Sequence, residues 1–241
     1  MLKEGWAGRR KQQAAAGTDR ERMDMKQTII VSGGSVDDAF VKKTIDTEKP
    51  DCLIAADAGI HFFYRNQIMP DVIVGDFDTA DDGARAYFEN RPEITFVRLD
   101  PVKDDTDTES ALRLAIRMGA EQVTLLGATG GRIDHLLGNI ELLGIGLTEG
   151  VPVTITDPCN RIRMTDTGLV IRRAEQFGTY VSLLPYTPQV TGLTLRGMKY
   201  PLTEYCLKGF CSLGISNEIT GEEGVISFSD GILLVIESKD A

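Results

Sequence analysis

From residue 28 onward, short and almost continuously apolar runs alternate with stretches of helical period. The runs are TIIVS (28–32), CLIAAD (52–57), DVIVGD (71–76), ITFVRL (94–99), QVTLLG (122–127) and VPVTIT (151–156). Short, β-branched runs without polar alternation are what strands look like when both faces of a parallel sheet are covered. Between them the helical period is plainest after Thr106. There Thr106 and Glu109 have capping-box spacing, Leu112, Ala115 and Ile116 recur on one side, and Gly119 ends the segment. A second helix is predicted from Asp134, with Leu136, Ile140, Leu143 and Leu147 in one stripe and Gly150 behind it. Six strands alternating with helices predict an α/β fold, a doubly wound and mostly parallel six-stranded sheet in three layers.

After Asp157-Pro158 the pattern changes. RIRMTD, GLVIRR, GTYVSLLPY, QVTGLTLRGM and VISFSDGILLVIE alternate or are rich in β-formers, with turn residues between them. This predicts a small antiparallel β-sandwich over 158–241, following an α/β domain over 25–157. The last segment reads as a hairpin closed by Asp230-Gly231 in a type I′ turn. Residues 1–24 mix six basic and four acidic residues, carry the single tryptophan, Trp6, and have no apolar stretch. They read as a disordered extension rather than a secretory signal.

Composition narrows the function. With 36 acidic against 26 basic residues the 241-residue chain carries a net charge of −10. That balance excludes a non-specific nucleic-acid binder and a protein docking on anionic lipid. Four cysteines without a CxxC pair, and only two histidines, exclude a structural zinc site and a disulfide scaffold. A cytoplasmic protein with reduced thiols is expected.

Ligands of open parallel sheets bind beyond the carboxyl ends of the strands, so the residues following each run are the candidates. They are Ser32-Gly33-Gly34, then Asp57-Ala58-Gly59, then Asp76-Phe77-Asp78-Thr79, then Lys103-Asp104-Asp105-Thr106-Asp107, and last the stretch from Gly127 to His135. Singly, each has a plain reading: Asp forms turns and caps helices, and acids suit a helix N-terminus. Jointly they bring carboxylates together, which repel one another unless a cation sits among them. Oxygen donors select Mg²⁺ or Ca²⁺ over zinc. The glycine turns permit close backbone approach to phosphate, and Lys103 and Arg132 supply positive charge. The chemistry this suits is metal-assisted transfer of a phosphoryl-type group from a nucleotide. There is neither a GxGxxG nor a Walker GxxxxGK[ST] motif.

Taken together, GDFDT (75–79), KDDTDTE (103–109), GATGGRIDHLLGN (127–139) and GISNE (214–218) resemble the bacterial thiamine pyrophosphokinases, in order and spacing, across residues 26–238. The resemblance implies a homodimer whose active site is completed across subunits. It implies the transfer of the β,γ-diphosphate of ATP to thiamine, giving thiamine diphosphate and AMP with Mg²⁺. It assigns Asp76, Asp78, Asp104 and Asp107 to catalysis, and Asp57, Asp76, Asp78 and Asp107 to the metal. It places Asp57, Lys103, Thr129, Gly130, Arg132, Asp134 and His135 around ATP, where the turn after the first strand adds Gly33 and Gly34, and Ser216 and Asn217 against thiamine. Thr79 stands where the family usually has Ser. The second domain lacks the tryptophan on which some relatives stack thiamine, leaving Tyr200, Tyr205 and Phe210 as alternatives. Three rival readings stay open: a pyrophosphokinase for another alcohol such as a pterin, a non-catalytic nucleotide or thiamine sensor, and a Mg²⁺-dependent phosphohydrolase.

Overall fold

All six apolar runs form strands in the computed structural model, which describes residues 26–76, 82–100 and 104–240. They are β1 (Gln27–Val31), β2 (Cys52–Ala56), β3 (Val72–Gly75), β4 (Thr95–Arg98), β5 (Gln122–Leu126) and β6 (Val153–Thr156). Their mutual pairings are all parallel, in the order β6-β5-β1-β2-β3-β4. The period of two along β1 decides which helices cover which face. Ile30 joins Ile54, Val72 and Leu125 beneath α4 (Asp107–Met118) and α5 (Ile133–Glu149). Ile29 and Val31 face the other way with Ala55, Ile73 and Leu126, beneath α1 (Asp38–Glu48), α2 (Ile60–Asn66) and α3 (Asp82–Glu89). The expected three layers are thus present.

The second helix from the carboxyl side of this half has the ends its sequence calls for. Thr106 accepts a hydrogen bond from the Glu109 N–H (3.2 Å), and Gly119 closes α4 in the left-handed conformation. The Glu109 carboxylate turns along the helix to Arg113, four residues on (Oε1 to Nη2, 2.7 Å). On α5 only Leu143 of the predicted stripe is fully buried. Leu136, Ile140 and Leu147 are half-buried; Leu136 and Ile140, in the first turns of the helix, line a cavity.

The remaining strands are β7 (Asn160–Thr165), β8 (Leu169–Arg172), β9 (Tyr180–Pro185), β10 (Gln189–Arg196), β11 (Leu202–Lys208), β12 (Asn217–Glu218), β13 (Glu223–Ser227) and β14 (Leu233–Ser238). The parallel sheet does not stop at β6. β7 pairs antiparallel with it, and β14, β9 and β12 follow, giving ten strands in one sheet. A separate four-stranded sheet, β11-β10-β13-β8, packs on this antiparallel end. Val181, Leu183, Leu233 and Val235 from the long sheet meet Val190, Leu193, Leu195 and Ile226 from the short one. That is the expected sandwich, sharing one of its sheets with the α/β half.

The predicted hairpin at Asp230-Gly231 does not form. β13 pairs with β8 and β10, whereas β14 pairs with β7 and β9, so the chain crosses from one sheet to the other there. Thr191 fixes the crossing, its N–H donating to the Asp230 carbonyl while its own carbonyl accepts from Ser229 N–H. Gly231 has φ of +116°, but Asp230 is not among the residues of positive φ, so the turn is not type I′. None of the described helices is long and apolar enough to cross a membrane.

Candidate active site

β1 has β2 on one side and β5 on the other, and the connections leave these two central strands in opposite directions. This is the switch point of the sheet, where a crevice opens beyond the carboxyl ends of the strands. A cleft of about 560 Å³ occupies it, lined by the Ser32–Ser35 turn after β1, residues 127–132 after β5, and the start of α4. That size suits a small-molecule site.

The two turns interlock through their backbones. Gly34 N–H donates to the Gly127 carbonyl (2.8 Å) and Ser35 N–H to the Thr129 carbonyl (2.9 Å). A Cβ on Gly34 would lie 2.4 Å from the Gly127 oxygen, and one on Gly130 would lie 2.1 Å from Ser35 Oγ. Gly130 also has φ of +83°, which side-chain-bearing residues rarely adopt. Both glycines are therefore required by close approach. α5 begins beside them, and its N-cap residue Arg132 makes no side-chain cap hydrogen bond. Arg132 and His135, at the start of this 17-residue helix, line the cleft, so its positive end lies where an anion is favoured.

On the other side of the cleft stand the acids. Asp57 follows β2, Asp76 follows β3 and Asp107 opens α4, and one carboxylate oxygen from each lies within 4.8 Å of the others. Asp57 has φ of +49° and leads into a 3-10 turn, Asp57–Gly59. A non-glycine residue held there costs roughly 1–3 kcal/mol, and such strain gathers at functional sites. Three half-buried oxygen donors, with no sulfur or imidazole among them, fit a hard cation of the Mg²⁺ type. The position of α4 is tied to β1 by a hydrogen bond from Thr108 Oγ1 to the buried Ser32 Oγ (3.0 Å). If these acids hold Mg²⁺, Thr108→Val is expected to raise the Mg²⁺ concentration needed for half-saturation in a binding titration several-fold, with Thr108→Ser restoring it. An unchanged Mg²⁺ titration would show that the bond does not position Asp107.

The other predicted residues distribute as follows. Gly33, Gly34, Thr129, Gly130, Arg132 and His135 line the cleft together with Asp57 and Asp107. Asp104 is exposed in the turn before α4, while its neighbour Asp105 lines the cleft. Asp134 is exposed and pairs with Arg132 (Nε to Oδ1, 3.1 Å); the guanidinium holds its carboxyl below the ordinary range. Asp78, Thr79 and Lys103 lie outside the described residues.

Ser216 and Asn217 are elsewhere. Asn217 sits in β12, at the far edge of the long sheet, six strand spacings from β1. At ~4.8 Å per spacing that is roughly 30 Å along the sheet. Its amide brackets Tyr200: Oδ1 accepts from Tyr200 N–H and Nδ2 donates to the Tyr200 carbonyl, both at 2.9 Å. The Tyr200, Tyr205 and Phe210 side chains all face solvent. Sequence reasoning passed over Ser35, Thr108 and Asn139 as site residues. Asn139 was legible in principle, since it lies four residues after His135 on the same helix face; its Nδ2 donates to the Ala128 carbonyl (2.8 Å) and braces the turn.

Comparison with known proteins decides the family. Residues 46–155 match the model of the thiamin pyrophosphokinase catalytic domain, and residues 168–233 that of the thiamin pyrophosphokinase vitamin B1 binding domain. Thiamine pyrophosphokinase from Bacillus subtilis is 33% identical over 216 residues, 90% of this chain and 100% of that protein. The chain belongs to the thiamine pyrophosphokinase family. The crystal structure of the Bacillus subtilis thiamine pyrophosphokinase superposes with a TM-score of 0.80 at 31% identity, over 90% of this chain and 100% of that one. That from Geobacillus thermodenitrificans gives 0.76 at 32% identity, over 89% and 98%. The thiamin pyrophosphokinase of Candida albicans, at 19% identity and a TM-score of 0.74 over 90% of each chain, shares the fold. The α/β sheet and sandwich described above are thus the family's architecture.

Proposed function

We propose that the chain transfers the β,γ-diphosphate of ATP to the hydroxyl of thiamine, releasing AMP and thiamine diphosphate. The observation that carries this is the meeting of Asp57, Asp76 and Asp107 beside a glycine-walled cleft, in a member of this family. These three acids, with Asp78, would hold Mg²⁺, which when bound neutralises phosphate charge and the charge developing on departing AMP. The residues around it have separate tasks. The backbone of Gly33, Gly34 and Gly130 admits phosphate oxygens at close range, and the start of α5 favours their charge. Arg132 and Lys103 add cationic partners, while Thr129, Asp134 and His135 frame the nucleotide. Asp104 completes the acidic loop. The thiamine hydroxyl attacks phosphorus in line with the leaving oxygen, so alignment contributes more than any single base.

Thiamine is held by Ser216 and Asn217 of a second subunit. Two observations support this. In one chain these residues stand six strands from the cleft. The same region also exposes Phe210, Leu213 and Ile215, apolar surface of the kind that contacts between copies cover. The four free cysteines are in keeping with a reducing compartment.

A product assay with ATP, Mg²⁺ and thiamine tests the reading. AMP and thiamine diphosphate should appear in equal amounts, from a species that sediments as a dimer. ATP loss without thiamine would make the chain a hydrolase, and turnover only with a pterin alcohol would reassign the acceptor. Nucleotide binding without any turnover would leave a sensor.

A further inference from the structure

The two halves of α5 are held very differently. Leu142, Leu143 and Gly146 are buried where the helix lies on β6 and β7. At Gly146 the approach is so close that a Cβ would come within 2.3 Å of the Val153 side chain. From Ile133 to Glu141, by contrast, no residue is fully buried, and Ile133 and Leu137 are 71% and 58% exposed. A Cβ on Gly138 would meet nothing within 4 Å, so packing gives no reason for a residue that weakens a helix interior. Segments with so few buried apolar contacts open most readily. Yet this half forms one side of the cleft, which Arg132, His135 and Asn139 line.

Among the described residues, two side-chain hydrogen bonds reach this half from outside the helix and its cap. Asn139 bonds the Ala128 carbonyl, in a turn that is itself part of the cleft wall. The other bond comes from beyond the cleft: Tyr186 Oη donates to Glu141 Oε2. Tyr186 follows β9, which β14 and β7 separate from β6 in the sheet. Its own footing is firm. Tyr186 N–H donates to the Ile232 carbonyl (2.8 Å), and Leu183 N–H, on the same strand, to the Gly214 carbonyl (2.8 Å). Ser182 Oγ accepts from Ser216 N–H (3.0 Å), so the strand that bears Tyr186 also carries the segment from Gly214 to Asn217. Burial and the Glu141 carboxylate push the Tyr186 phenol up to about 12, so it stays a donor throughout the neutral range.

We infer that Tyr186 is a positioning residue for nucleotide binding, a strut that holds the loosely packed first half of α5, and with it Arg132 and His135, against the phosphates. The inference rests on the phosphate placement proposed above. Tyr186 touches no substrate and acts through Glu141 alone. The acids stand on the other side of the cleft and do not depend on this bond. Removing the phenol oxygen therefore weakens nucleotide binding and leaves the chemical step in place, so KM for ATP rises while kcat holds.

Calorimetric titration of the full chain with ATP in Mg²⁺, without thiamine, tests this together with steady-state kinetics. Tyr186→Phe and Glu141→Ala should each weaken ATP by about three- to tenfold, the range open to one hydrogen bond, with kcat within about twofold of wild type. The double variant should lose no more than the larger single loss, since the two groups act as one link. Glu141→Gln, which keeps an acceptor for the phenol, should bind ATP within about twofold of wild type. A purely structural bond would lower the melting temperature of Tyr186→Phe and leave its ATP affinity unchanged, and that result would overturn the inference. So would additive losses in the double variant, or Glu141→Gln as weak as Glu141→Ala. A wild type that binds no ATP would overturn the phosphate placement and the strut together. The expected binding pattern in a chain that makes no thiamine diphosphate would sink the transfer reading alone.

Discussion

Asp57→Asn should lower turnover at saturating ATP, thiamine and Mg²⁺ by at least about a hundredfold, the scale on which removal of one preorganised electrostatic group acts. The substitution is chosen for its backbone. Asp57 holds φ of +49°, a conformation that asparagine adopts more readily than most residues, so the strain and shape are preserved while one charge is removed. The physical reason for the expected loss is the 4.8 Å grouping with Asp76 and Asp107, in which, on the proposed reading, each carboxylate would help hold a cation against phosphate. The same grouping predicts the opposite sign for stability. Three carboxylates that close repel one another when no cation is bound, so in EDTA the variant should melt no lower than wild type. Steady-state kinetics and a melting curve in chelator measure both. Turnover within about tenfold of wild type would remove Asp57 from the metal set.

The largest effect on stability is expected in the sandwich, at Glu237. This carboxylate is fully buried on β14 and is surrounded by donors. Arg161 approaches with Nε at 2.9 Å and Nη2 at 2.7 Å, Arg163 through Nη2, and the Phe177 backbone N–H at 2.9 Å. Burial pushes the Arg163 guanidinium below its ordinary range, and Glu237 is what opposes that shift. Glu237→Gln keeps the volume and removes the charge, leaving two guanidiniums, each only 27% exposed, without their counter-ion. Breaking a buried pair in this way costs about 3–5 kcal/mol. Urea unfolding followed by far-ultraviolet circular dichroism reads it, and a loss under about 1 kcal/mol would mean that water reaches the arginines. Intact buried pairs add little over an apolar replacement; Arg161 and Glu237 face one another in the register of β7 against β14.

The strands of the α/β half were legible because burial on both faces leaves a signature in the residues themselves, as in Ile29-Ile30-Val31 and Val72-Ile73-Val74. Thr106 and Gly119 marked the ends of α4 for equally local reasons. The acids at strand ends could be proposed as one cluster because the sheet rule places all such ends at one edge, and Asp57, Asp76 and Asp107 do converge there. What the chain did not disclose was non-local pairing. Nothing in VISFSDGILLVIE says that its two halves belong to different sheets, since alternation reports a buried face and not a neighbour. Thr108 was unreadable for the same reason: its partner Ser32 is 76 residues away. The distance of Asn217 from the cleft followed only once β12 was found at the outer edge of the ladder.

The uninterrupted ladder bears on how such a protein can be taken apart. The two family models stop and restart between residues 155 and 168, where the sequence changes character, yet hydrogen bonding runs through that seam from β5 to β6 to β7. A cut after Asp157 would strip β6 of one neighbour and leave an open strand edge with apolar side chains, the kind of edge that recruits foreign chains. The halves are consequently poor building blocks for chimeras.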